Sequence, residues 1–158
     1  MKLRPAHLAV GLAILAGLGL LLVADPFGRP SAGHALRPDD ARVLAQGQRV
    51  YRAQCAACHG ARLEGQPNWR VRGSDDRLPA PPHDGGGHTW HHADELLFRL
   101  TKEGVAKAAK LKDYASAMPA FEGVLSDEEI VAVLSWIKSQ WPAELRARHD
   151  ELNRQARP

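Results

Sequence analysis

The longest apolar run in the chain stands near its start. Lys2 and Arg4 precede "LAVGLAILAGLGLLLVA", unbroken from Leu8 to Ala24. As a helix, residues 8–24 would extend about 25 Å, the short end of what crosses a bilayer. The run reads as an uncleaved N-terminal anchor (1–24), with the basic residues on the inside and the rest of the chain exported. A cleaved signal peptide is the alternative, but it needs a small-residue cleavage site soon after the run. Leu22 and Ala24 make a poor one, Asp25-Pro26 follows, and "SAGHA" (Ser31 to Ala35) lies far from the apolar core. No cysteine follows the run, which excludes lipoprotein processing. From Asp25 to Pro38, three prolines, two glycines and several small residues predict an extended linker.

Helical periodicity begins after the linker. In "DDARVLAQGQRVYRAQC", Asp39 or Asp40 suits an N-cap. Val43, Leu44, Gly47, Val50 and Tyr51 then share one stripe, and Gly47 would let another helix approach closely. In "ADELLFRLTKEG", Leu96, Leu97 and Leu100 form the expected buried face and Gly104 the stop. "SDEEIVAVLSWIKSQW" carries the clearest start: Ser126 and Glu129 fit a capping box, and Asp127, Glu128 and Glu129 favour the positive end of the dipole. Ile130, Val133, Leu134 and Ile137 follow at helical spacing, with Trp136 and Trp141 alongside. Strand signals are scarce, so the expected fold is a small all-α domain of three to five helices over 39–141. Residues 142–158 are helical by propensity but nearly lack an apolar stripe, and read as a polar C-terminal tail, solvated or frayed.

Composition changes this picture little. The 158 residues carry a net charge of +3 and a pI near 9.1. No stretch interleaves aromatic and basic residues as a nucleic-acid surface would, and no internal repeat is present. The cysteines matter more. There are two, Cys55 and Cys58, and His59 comes directly after them in "CAACHG". A redox dithiol would want a strand-to-helix setting that these flanks lack. A structural zinc site wants four ligands, usually two such pairs. A disulfide at this spacing would close a tiny loop and stabilise little. Covalent haem attachment accounts for every part of Cys-x-x-Cys-His: two thiols add to two vinyl groups, the spacer matches their separation, and the histidine supplies an imidazole to the iron.

The chain resembles the class I c-type cytochromes over roughly 39–141, through "CAACHG", a later "AMPAF" and the helices around them. The resemblance implies a class I cytochrome c-like helical domain around one covalent haem c; the N-terminal transmembrane helix read from residues 8–24 lies outside it. It implies that the first and last helices cross, with Gly47 and Tyr51 meeting the aromatic part of the second. It also implies Met118 as the sixth iron ligand. Met118 is the one methionine besides the initiator, and the proline after it and a loop-like "EG" soon after place it on a turn. Met/His ligation raises the reduction potential. The family points a proline carbonyl at the free nitrogen of the proximal histidine, which implies Pro81 or Pro82 in "LPAPPHD"; an insert, "QPNWRVRGSDDR", lengthens the chain before them. "HDGGGHTWHH" places His83, His88, His91 and His92 in a Gly-rich loop. The resemblance favours a loop lining the haem edge, with Trp90 either an indole donor to a propionate or packed on the ring. A second metal, or a histidine as axial ligand, are the competing readings.

The expected function is single-electron transfer between respiratory-type protein partners, not enzymic turnover, although the chain could be a subunit of an oxidoreductase complex. The haem domain would sit on the periplasmic, outer side of the cytoplasmic membrane, tethered by a single pass through residues 8–24. From Arg99 to Lys112, Arg99, Lys102, Lys107, Lys110 and Lys112 stand against the single acid Glu103, and Lys107, Lys110 and Lys112 are candidates for docking an acidic partner. Two alternatives are a haem enzyme or gas or redox sensor with a labile sixth ligand, and a metal-handling protein using the His-rich loop 83–92.

Overall fold

A computed structural model describes residues 33–156, and all regular structure among them is helical. Helix α1 (Ala41–Val50) runs into a π-helical turn (Tyr51–Cys55) and then α2 (Ala56–His59). A long loop with one 3-10 turn (Thr89–His91) leads to α3 (Asp94–Glu103) and the short α4 (Val105–Ala108). A second loop precedes α5 (Asp127–Ser139) and α6 (Ala143–Gln155). The apolar run 8–24 lies outside the described residues, and no described helix is long and apolar enough to cross a membrane.

The frame is a crossing of α1 with α5. Asp40, not Asp39, caps α1, accepting from the Arg42 and Val43 amides at 3.0 and 3.3 Å. At Ser126 both bonds of the capping box form: the Ser126 amide donates to Glu129 Oε2 at 2.9 Å, and the Glu129 amide to Ser126 Oγ at 3.2 Å. A Cβ on Gly47 would overlap the Ala132 carbonyl and Trp136 Cβ, so α1 lies directly on α5 at this point. One turn on, the Tyr51 ring meets Trp136 at 4.7 Å between centroids. Helix α5 is buried along most of its length, from Ile130 through Ser135. This is why its apolar residues are not confined to one stripe: α1, α3 and the segment before α1 all pack on it.

In α3 the buried face is turned from the expected one. Leu97, Phe98 and Thr101 are buried, while Leu96 and Leu100 are half-buried. Phe98 joins Leu97 in the core and brings the larger apolar area.

Both ends of the described chain depart from the expected boundaries. The extended linker stops short of Pro38, because residues 34–37 dock on the domain. The His34 ring stacks on Phe98 at 3.3 Å, Leu36 is buried, and the Leu36 and Arg37 amides donate to Asp94 Oδ2 and Ser135 Oγ, each at 2.9 Å. Beyond Pro142 the tail is helical through Gln155, with one face exposed and the other docked. Helix α6 packs on the domain through a stripe that is partly polar: Leu145, His149, Leu152 and Asn153 face inward, and His149 is completely buried. His149 Nε2 donates to the His92 carbonyl at 2.9 Å, and Lys138, itself buried, pairs with Asp150 at 2.5 Å.

Candidate functional site

The π-helical turn delivers the motif. Widening of a helix by one residue re-aims the side chains after it, and such turns gather at functional sites. Here it ends at Cys55, which is half-buried; Cys58 is exposed and His59 is buried. The two thiols are not joined. Burial, and secondarily the neighbouring Cys58, push the Cys55 thiol up to about 11. The turn after His59 is tied back to the frame: Tyr51 donates its hydroxyl to the Gly60 carbonyl at 2.7 Å, and the Gly65 amide donates to the His59 carbonyl at 2.8 Å.

His59 Nδ1 lies 2.8 Å from the Pro81 carbonyl oxygen. That oxygen can only accept, so the proton is on Nδ1 and the Nε2 lone pair is left available. Burial holds the His59 pKa below the usual imidazole range, and the Pro81 bond opposes this in part. Of the two candidate prolines, Pro81 supplies the carbonyl; the Pro82 carbonyl faces Gly87, where a Cβ would overlap it. The insert leaves this alignment undisturbed because it is closed at its base. The Gln66 amide donates to the Ala80 carbonyl and the Ala80 amide to Gln66 Oε1, both at 2.9 Å. From that base the insert reaches two loops, stacking Trp69 on His88 and placing Arg72 over the Tyr114 ring at 5.4 Å.

The four loop histidines separate. His83 turns inward and stacks on His59, with ring centroids 4.0 Å apart, and its Nδ1 lies 2.8 Å from Thr89 Oγ1. His88 and His92 meet edge to face at 5.4 Å, and His91 stacks on Trp90. Among the described residues no group of three or more His, Cys, Asp or Glu is arranged to hold a metal ion.

Trp90 has a buried indole Nε1 with no hydrogen-bond partner. A buried donor left unpaired costs free energy, so this position suits an acceptor from outside the chain, such as a haem carboxylate. With two free thiols and a histidine in the tautomer that can bind iron, the residues fit a covalent haem. Met118 lies half-buried on the loop between α4 and α5, its amide donating to Ser116 Oγ at 3.1 Å. The loop is pinned behind it, where the Phe121 and Glu122 amides donate to the Thr101 and Lys102 carbonyls. Of the cations before it, Arg99 pairs with Glu103 and Lys102 with Asp127, whereas Lys107, Lys110 and Lys112 are exposed. Sequence patterning singles out neither Thr89 nor the Tyr51 hydroxyl for this site. For Tyr51 the only signal is its place four residues before Cys55; for Thr89 there is none.

A helical domain that presents Cys-x-x-Cys-His in this setting defines a class I c-type cytochrome. Residues 42–137 match the sequence model of the family described as cytochrome c oxidase, cbb3-type, subunit III, and the chain belongs to that family. No curated protein and no solved structure matches it. Family membership brings covalent haem c and haem-based electron transfer, in a free carrier or an oxidase subunit.

Proposed function

We propose that this chain carries single electrons between respiratory-type protein partners through one haem c. Cys55 and Cys58 would hold the group, and His59 and Met118 would ligate its iron. The observation that carries this reading is the His59–Pro81 bond, which fixes the imidazole with its proton on Nδ1 and Nε2 free for iron. Haem c supplies an iron that alternates between Fe(III) and Fe(II). Met118, a soft thioether, favours the reduced form. Trp90 gives its indole N–H to a propionate. The domain works on the outer face of the cytoplasmic membrane, anchored by residues 8–24, with Lys107, Lys110 and Lys112 turned toward an acidic donor or acceptor.

Two measurements test this. Denaturing electrophoresis with haem staining should show a haem-bearing band; loss of haem under denaturing conditions contradicts attachment at Cys55 and Cys58. Met118→Ala should keep the haem, lower the potential and let the ferrous protein bind carbon monoxide. A Met118→Ala spectrum identical to the parent would remove Met118 from the iron.

A further inference from the structure

His59 is held from two directions. The Pro81 carbonyl fixes one edge of its ring, but a single hydrogen bond leaves the imidazole free to swing about the Nδ1···O line. The second constraint is the face of His83, stacked on it at 4.0 Å with 24° between the planes. His83 cannot follow a rotating His59, because it is fastened at three points. Its amide donates to the Leu63 carbonyl at 2.8 Å. Its own carbonyl accepts from Trp141 Nε1 at 2.7 Å. Its side chain is hydrogen-bonded through Nδ1 to Thr89 Oγ1 at 2.8 Å, and Thr89 is buried. An aliphatic residue could fill the same space, but it would have neither a flat face nor a polar atom to set its orientation.

We infer that His83 is a positioning residue that fixes the plane of the His59 imidazole at the haem. The plane of an axial imidazole sets how its π orbitals meet those of the iron, and so shapes the magnetic anisotropy of the ferric state. The inference rests on the reading of His59 as an iron ligand. It gives the loop histidine nearest the motif a task distinct from metal binding.

The test uses the ferric holoprotein and its electron paramagnetic resonance spectrum, which reports ligand orientation and which a purely packing role would leave in place. His83→Ala should retain haem but move the largest g-value and broaden it, as His59 samples several orientations. His83→Phe keeps a flat ring against His59 but loses the Thr89 bond, so it should move and broaden the signal less than His83→Ala does. A parent-like spectrum for His83→Ala, or a change in His83→Phe as large as in His83→Ala, would overturn the inference. If His83→Ala yields no holoprotein, Thr89→Val, which releases the side chain while leaving it in place, should broaden the signal, and a sharp parent signal there would overturn it equally. A parent protein without covalent haem would be a failure of the proposed function instead, and haem staining separates the two.

Discussion

Asp94 and Asn153 exchange two hydrogen bonds: the Asp94 amide donates to Asn153 Oδ1 at 2.8 Å, and Asn153 Nδ2 donates to Asp94 Oδ1 at 2.9 Å. The first bond satisfies an amide at the start of α3, and the second ties α6 to the same residue. Asn153→Ala removes both and leaves a half-buried carboxylate and amide short of partners. It should destabilise the holoprotein by about 1–3 kcal/mol, read by urea denaturation, while leaving the visible spectrum unchanged. An unaltered midpoint would mean that the Asp94–Asn153 pair adds nothing to the docking of α6.

The neighbouring His149 gives this docking a pH dependence. Burial first, then the charge of Lys138, holds its pKa below the usual value; Asp94, the His92 carbonyl and Asp150 oppose the shift without reversing it. The unfolded chain therefore takes up this proton near pH ~6.5, before the folded protein does. Stability is fully present above that pH and falls as the pH drops through it toward the lower folded pKa. Between pH 7 and 5, urea midpoints of the parent should decline, and His149→Gln should decline less steeply. Equal slopes would remove His149 as a source of the acid sensitivity.

Gly47→Ala should be among the most damaging single-methyl additions in the domain. The added carbon has nowhere to go except into the Ala132 backbone carbonyl, so α1 and α5 must part. A loss on the order of 3 kcal/mol or more, with a lower yield of holoprotein, is the expected outcome. Wild-type yield and melting would show that the helices slide past each other at little cost.

Trp90→Phe keeps an aromatic ring, though a smaller one, and deletes the unpaired N–H. If that donor serves a propionate, its loss leaves more negative charge near the iron and favours Fe(III). The potential should fall by tens of millivolts, corresponding to about 1 kcal/mol of hydrogen bonding. An optical redox titration that gives the parent value would leave Trp90 as packing only.

For the lysines, the expected observation is kinetic. Electron transfer to an acidic protein acceptor should slow as salt rises, because screening acts within about 10 Å at 0.1 M. Replacing Lys107, Lys110 and Lys112 together by glutamine should flatten that dependence. A triple variant with the parent's salt response would show that these lysines do not face the partner.

The parts of the molecule governed by local chemistry are legible in the sequence. The capping box at Ser126 arises from residue types at a fixed spacing, the crossing at Gly47 and the meeting of Tyr51 with Trp136 are what the family resemblance implies, and all are present. The Cys-x-x-Cys-His motif likewise announces its chemistry. What escapes depends on partners distant in sequence. Helix α6 reads as a solvated tail because hydrophobic patterning counts His149 and Asn153 as polar, although each has its acceptor or donor 57 and 59 residues away. Residues 34–37 look like linker for the same reason, since their amides find Asp94 and Ser135. The choice between Pro81 and Pro82 needs the Gln66–Ala80 closure, which no spacing rule reveals.

The Asp94 carboxylate has a topological consequence. One of its oxygens receives the Leu36 amide and the other receives Asn153, so the first and last parts of the described chain converge on a single side chain. A connector of roughly five to ten residues, at about 3.4 Å per extended residue, would suffice to join residue 34 to residue 156. New termini could then be opened in the exposed insert, whose base remains tied through Gln66 and Ala80. Such a circular permutant should retain the His59–Pro81 alignment.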